Sequence, residues 1–214
     1  MLFLAAALGP IALTMALAQA ANVAPRSWML RLSIYGAATA YLALLLERAL
    51  LPLLPYAHDA SRHALELSFG LIAPVEELAR FAILQHECTS REGVSARAMA
   101  FAGMALGSGF AALENVFYLI GAGTGWRNVA LARLVTATPF HLANGVVGGI
   151  LVWSATRRSS PARLLLALAA VILLHGAYDA PLIMGGADSA KFAFVLGLTI
   201  AVAFRLYRSP PAVG

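Results

Sequence analysis

Charge is scarce in this chain. Only 12% of its 214 residues are Asp, Glu, Lys or Arg, while 61% are hydrophobic and the mean hydropathy is +0.80. A soluble globular domain carries about 25% charged residues, so an ordinary soluble domain is excluded. A single cysteine, Cys88, excludes an intramolecular disulfide and any cysteine-built metal site. No basic cluster interleaves with aromatics, so the formal charge of +5 does not read as a nucleic-acid surface. Low-complexity stretches, heptad runs and internal repeats are also missing. The apolar run from Leu2 to Ala21 ends on "ALAQA", which resembles a signal cleavage site, but it lacks a basic n-region and is expected to stay as a helix.

What remains is a series of long apolar runs. A spanning helix needs about 20 mostly apolar residues. Seven candidates follow, at about 2–21, 30–51, 67–86, 98–120, 129–153, 163–184 and 190–206. Pro25, Pro52, Pro55 and the stretches "TSREG", "GAGTG", "RRSSP" and "GGADS" separate them. The expected fold class is all-α, a polytopic transmembrane helix bundle forming a single integral membrane domain over 1–214. Arginines gather at Arg26 and Arg31, at Arg91 and Arg97, at Arg157, Arg158 and Arg163, and at Arg205 and Arg208. The alternate connections hold Arg62, Arg127 and Lys191, with Arg48 near a span end. The positive-inside rule then predicts an outside N-terminus and a cytoplasmic C-terminus, as an odd number of spans requires.

The third span, "LIAPVEELARFAIL" from Leu71 to Leu84, is costly. A charged residue at the bilayer centre costs about 2.5–3.5 kcal/mol, and a large apolar residue returns only about 0.3–0.6. Glu76, Glu77 and Arg80 therefore need partners. Arg80 lies four residues after Glu76 and three after Glu77, on their side of a helix, so it can neutralise one carboxylate. The other must find a different partner or bind a proton. Pro74 is expected to kink the helix and free a backbone carbonyl.

Three further spans carry polar groups: Glu114 and Asn115, His141 and Asn144, and His175 and Asp179 at i and i+4. At about 1.5 Å per residue, Glu76, Glu77, Glu114, His141, His175 and Asp179 fall within a layer of roughly 10 Å, in the outer half of the bilayer. An ionisable residue inside a membrane is a functional hypothesis by default. Purely structural hydrogen bonding is the competing reading, weakened because buried ion pairs stabilise poorly compared with apolar packing. Gly103 and Gly107, and Gly145 and Gly149, are spaced for close helix contact. Glu47 and Arg48 read as groups that snorkel from a span end. His58, Asp59 and His63 read as solvated groups of an outer connection, and His86, Glu87 and Cys88 as the inner end of the third span.

These residue types suit water activation. A glutamate can take a proton from water as it attacks a carbonyl, and a histidine can donate to the oxyanion or the leaving amine. Other hydrolytic patterns fit worse. Ser108 in "GSGF" lacks the glycine two residues earlier of the GxSG pattern, "GGAD" only approaches GxGD, and no HExxH is present. Two histidines and a glutamate form a common zinc set. One divalent metal, zinc foremost, on Glu114, His141 and His175 therefore stays open beside a metal-free site. A proton- or ion-coupled transporter would carry similar side chains but calls for repeat symmetry between halves.

Four stretches occur in order, one per span: "EELAR" (Glu76 to Arg80), "GSGFAALENVFY" (Gly107 to Tyr118), "RLVTATPFH" (Arg133 to His141) and "HGAYD" (His175 to Asp179). Together they resemble the PrsW family of intramembrane proteases, related to the CAAX prenyl endopeptidases and Abi proteins. Arg80 departs from the family pattern, which usually shows lysine there. The resemblance implies a glutamate-dependent peptidase of the bacterial cytoplasmic membrane. Its partners would be membrane lipids and a membrane-anchored protein substrate, anti-sigma-factor-like or prenylated-peptide-like, cut near the outer leaflet. The catalytic spans would be 67–86, 98–120, 129–153 and 163–184. Glu76, Glu77, Glu114, His141, His175 and Asp179 would be the catalytic set, supported by Arg80, Asn115, Arg133 and Asn144. A non-catalytic scaffold of the same superfamily is the alternative that the resemblance leaves open.

Overall fold

The structure, a computed structural model, describes residues 1–54, 59–185 and 189–211; His58 lies outside the described residues. Among those residues there are helices and no strand: α1 (Leu2–Ala21), α2 (Arg26–Leu50), α3 (Ala60–Leu67), α4 (Ala73–Thr89), α5 (Ala96–Gly121), α6 (Trp126–Val135), α7 (Ala137–Arg157), α8 (Pro161–Ile183) and α9 (Ser189–Arg208). Six segments are long and apolar enough to cross a membrane: α1, α2, α5, α6 with α7, α8 and α9. The seventh expected span, 67–86, falls short by apolarity because it carries Glu76, Glu77 and Arg80. It is helical nonetheless, within a continuous column over 60–89.

That column is not a uniform α-helix. A π-helical turn, Ser68–Ile72, joins α3 to α4, and the Ala73 N–H donates to Ser68 O, five residues back. Pro74 follows at once and has no N–H to give. The wider register accommodates the missing donor, so a π turn stands where the sequence predicts a kink. Asp59 is not simply a solvated connector: its side chain accepts the Arg62 N–H at 2.8 Å and caps α3. His63 lies inside α3.

The expected span at 129–153 is also two helices. The chain breaks at Thr136 (φ −124°, ψ −76°), three residues before Pro139. The proline ring would clash with the Val135 carbonyl in a continuous helix. Instead the Thr136 hydroxyl donates to Ala132 O at 2.7 Å, satisfying a carbonyl near the end of α6.

At the centre lie α5 and α7, the two most buried elements. They cross antiparallel on a glycine seam. A Cβ on Gly103 would overlap the Gly145 backbone, one on Gly107 the His141 backbone, and one on Gly149 the Met99 backbone. On the other side of α5, α2 packs equally closely, with Gly36 against the Leu106 carbonyl and Gly109 against Ser33. Small residues thus bring backbones together where van der Waals packing replaces the hydrophobic effect as the driving force. This holds α2, α4, α5, α7 and α8 around one polar interior.

Candidate active site

Each polar residue of that interior is presented by a helix whose other faces are apolar. Glu76 and Glu77 stay buried (6% and 5% exposed) because α4 turns them toward α7 and α8. Arg80, one turn on, lies among them. Its guanidinium stacks 4.3 Å from the Phe110 ring of α5. Nη2 donates to Glu77 Oε1 at 2.5 Å and lies 3.5 Å from Glu76 Oε2, and Nε donates to the Glu76 carbonyl at 3.3 Å.

The two glutamates are held very differently. Glu77 Oε1 accepts from Arg80, from Asn144 Nδ2 at 2.9 Å and from His175 Nδ1 at 2.7 Å. Glu76 Oε2 has only long contacts, 3.5 Å to Arg80 and 3.6 Å to His175 Nε2. The bond to Glu77 makes His175 Nδ1 a donor and turns Nε2 toward Glu76 and toward Asp179, 3.3 Å away. His141 is fixed from the other side. Its Nε2 is 2.8 Å from Glu114 Oε2, and its Nδ1 is 3.3 Å from Arg80 Nη1. The two imidazoles meet edge to face at 5.4 Å. Phe140 lies between His175 and Tyr178, stacked on the tyrosine at 4.1 Å.

All six ionisable residues singled out in the sequence therefore share one interior. Glu114 and Asp179 are its more open members, each with 18% of its side chain exposed. Glu114 pairs with Arg133 at 2.6 Å, and Arg133 stacks on Tyr118 at 4.0 Å. Asn115 faces away from the imidazoles. It donates to the Ala6 carbonyl at 2.8 Å and to Thr138 Oγ1 at 3.1 Å, and accepts from Arg133 at 2.6 Å, linking α1, α5, α6 and α7.

The metal-ligand grouping differs from the one read in the sequence. One donor atom each from Glu76, His141 and His175 lies within 4.8 Å of the others. The grouping has Glu76 where the sequence reading has Glu114, which is bonded to His141 Nε2. The donor chemistry is that of a two-histidine, one-carboxylate site. Four carboxylates (Glu76, Glu77, Glu114, Asp179) touch the imidazoles or guanidiniums, beside the two cations Arg80 and Arg133.

Glu47 was missed. Its reading as a snorkelling group fails, because its Oε1 is buried without a hydrogen-bond partner among the described residues. It lies within electrostatic reach of Glu114, Asp179 and His175. The signal was its spacing. Glu47 continues the Gly36, Ala40, Ala43 face of α2, whose alanines pack on Phe110. Residues three or four apart share a helix face, so the carboxylate points inward.

Buried acids and imidazoles gathered inside a polytopic helix bundle define an integral membrane protein with a hydrolytic type of site. The family model described as "PrsW family intramembrane metalloprotease" matches residues 24–206, and the chain belongs to that family of intramembrane proteases. No curated protein and no solved structure matches it.

Proposed function

We propose that the chain is an endopeptidase in which Glu76 activates the hydrolytic water. The observation that carries this is the contrast between the two glutamates. Glu77 accepts three donors on Oε1, whereas Glu76 is loosely held and faces the same space as His175 Nε2. A base must be free to accept a proton in a competent geometry. Glu76 takes the proton from water as the oxygen attacks the scissile carbonyl. His175, set by Glu77 and Asp179, donates from Nε2 to the oxyanion and then to the leaving amine. His141, set by Glu114, completes the polar wall, and Arg80 pairs with Glu77.

In the alternative reading, which the grouping of their donor atoms favours, Glu76, His141 and His175 would instead be the ligands of a divalent ion, zinc foremost, with Glu114 orienting His141, and Glu76 and His175 Nε2 would then not serve as base and acid. Such an ion, when bound, would polarise the carbonyl and lower the pKa of a bound water. The substrate is a membrane-anchored protein, anti-sigma-factor-like or prenylated-peptide-like. It is cut near the outer leaflet of the bacterial cytoplasmic membrane, since the arginine-rich connections argue for a cytoplasmic C-terminus and leave the site in the outer half.

The test is a reconstituted cleavage assay with separate Glu76→Gln and Glu77→Gln variants. Loss of a general base is worth about 10²–10⁴-fold. Glu76→Gln should lose at least that much while the protein remains folded in the membrane. Elemental analysis of the purified protein, and of His141→Ala and His175→Ala, reads the ion directly: bound metal should drop in both variants. Full activity in Glu76→Gln would overturn the assignment of the base.

A further inference from the structure

Beneath the Glu77–Arg80 pair, on the side away from Asp179, lies a void of about 10 Å³. Its lining includes Glu77, Arg80, Asn144, Gly148, Leu84 and Val171. The size is at the lower limit for one water molecule, which needs about 10–15 Å³ and two to four polar partners. Asn144 is 1% exposed. Its amide orientation is fixed, because Nδ2 donates both to Glu77 Oε1 at 2.9 Å and to the Val171 carbonyl at 3.3 Å. Its Oδ1 is buried and has no donor among the described residues. A buried amide oxygen left without a partner is destabilising. The remaining polar lining, Glu77 and Arg80, offers an acceptor and a donor to a molecule bound there.

We propose that this void holds one resident water that donates to Asn144 Oδ1 and bridges to the Glu77–Arg80 pair. Asn144 and the water form a unit that fixes Glu77 from below. Glu77 in turn fixes His175, so Asn144 is a positioning residue. Its effect on turnover rests on the reading of the site given above; the water itself does not.

Gly148 provides the test. It lies four residues after Asn144 on α7, on the same face. Unlike the seam glycines, it has room for a side chain: a Cβ there would meet only Leu84 Cδ1 and Val171 Cγ1, both at 3.5 Å, an ordinary contact. Gly148→Ala puts a methyl in the void and expels the water. Gly148→Ser puts a hydroxyl there, which can donate to Asn144 Oδ1 in the water's place. Thermal unfolding in lipid nanodiscs needs no cleavage, and can be run in the Glu76→Gln background.

Gly148→Ala should lower the melting temperature by about 2–10 °C despite the better helix propensity of alanine. Gly148→Ser should recover most of that loss. In the Glu76-intact protein, kcat should fall with alanine and return with serine at similar KM. A dry void predicts the opposite sign, since filling it stabilises. Equal or higher stability of Gly148→Ala, or equal loss in both variants, overturns the proposal.

Discussion

At the scale of single residues, Arg80 holds the interior together. One guanidinium reaches Glu77, the His141 Nδ1, the Glu76 carbonyl and the Phe110 face. Only a planar fork does this; an ammonium is a compact point charge on a flexible stem. Arg80→Lys keeps the charge, yet in this chain it should free His141 Nδ1 and loosen Glu77. The expected loss is about tenfold or more in kcat/KM, some 1.4 kcal/mol, carried mostly by kcat. Unchanged kinetics would mean that charge alone suffices. The sequence announced Arg80 through its spacing from the glutamates, and it announced the two histidines through their burial in apolar spans. It could not say which glutamate Arg80 would hold, because i,i+3 and i,i+4 partners are equivalent until side chains from α7 and α8 choose. Glu47 stayed hidden for a related reason: only the packing of α2 on α5 shows which way a residue near a helix end points.

At the scale of elements, α4 is tied at both ends of its polar face. About three turns past Glu76, Glu87 accepts from Trp28 at 2.7 Å, from Arg31 at 3.0 Å and from Arg91 at 2.9 Å, while Arg91 covers the Trp28 ring at 4.4 Å. Glu87 lies just past the expected span. Burial raises its pKa, but the hydrogen bonds from Arg91 and Trp28 and the Arg31 charge outweigh that and hold it below the ordinary value. A depressed folded pKa gives stability that is complete above the unfolded value, about 4.3, and is lost as pH falls through the folded one. Glu87→Gln should destabilise the protein by about 1–3 kcal/mol at neutral pH and flatten the acid limb of its stability profile, read as melting temperature between pH 6 and about 3. An unchanged acid limb would show that the clamp contributes nothing to it. Hydropathy located most helices to within a few residues. It did not find the π turn or the break at Thr136, since both come from a proline being absorbed locally, through its missing donor in the first and its ring in the second, which apolar periodicity does not register.

At the scale of the whole molecule, the bundle hides its charges in the middle and leaves apolar side chains outside. Leu4, Leu8, Leu30, Ile34, Leu165, Leu166, Phe194 and Phe204 are all exposed on the outer helices. That is the surface a bilayer requires. The all-helical class was legible because composition alone excludes water as the surrounding solvent. The count of spans was less so, because the helix that builds the site is the one least suited to lipid. Orientation can be read by labelling single cysteines in a Cys88→Ser background. Sites near Arg91 and Arg157 should react only after the membrane is permeabilised, and sites near Arg62 and Arg127 should react in intact cells. The reverse pattern would move the site to the inner half of the bilayer.

The π turn over Ser68–Ile72 also sets the heading of the helices it joins. It is, in effect, one residue more than an α-helix of that length would contain. Each residue turns a helix by about 100°. Were the same residues wound as a plain α-helix, the surplus residue would swing everything upstream against everything downstream by about that angle. Either α3 or the glutamate pair would then lose its heading, and a chain with every acid and imidazole intact would have no reaction centre.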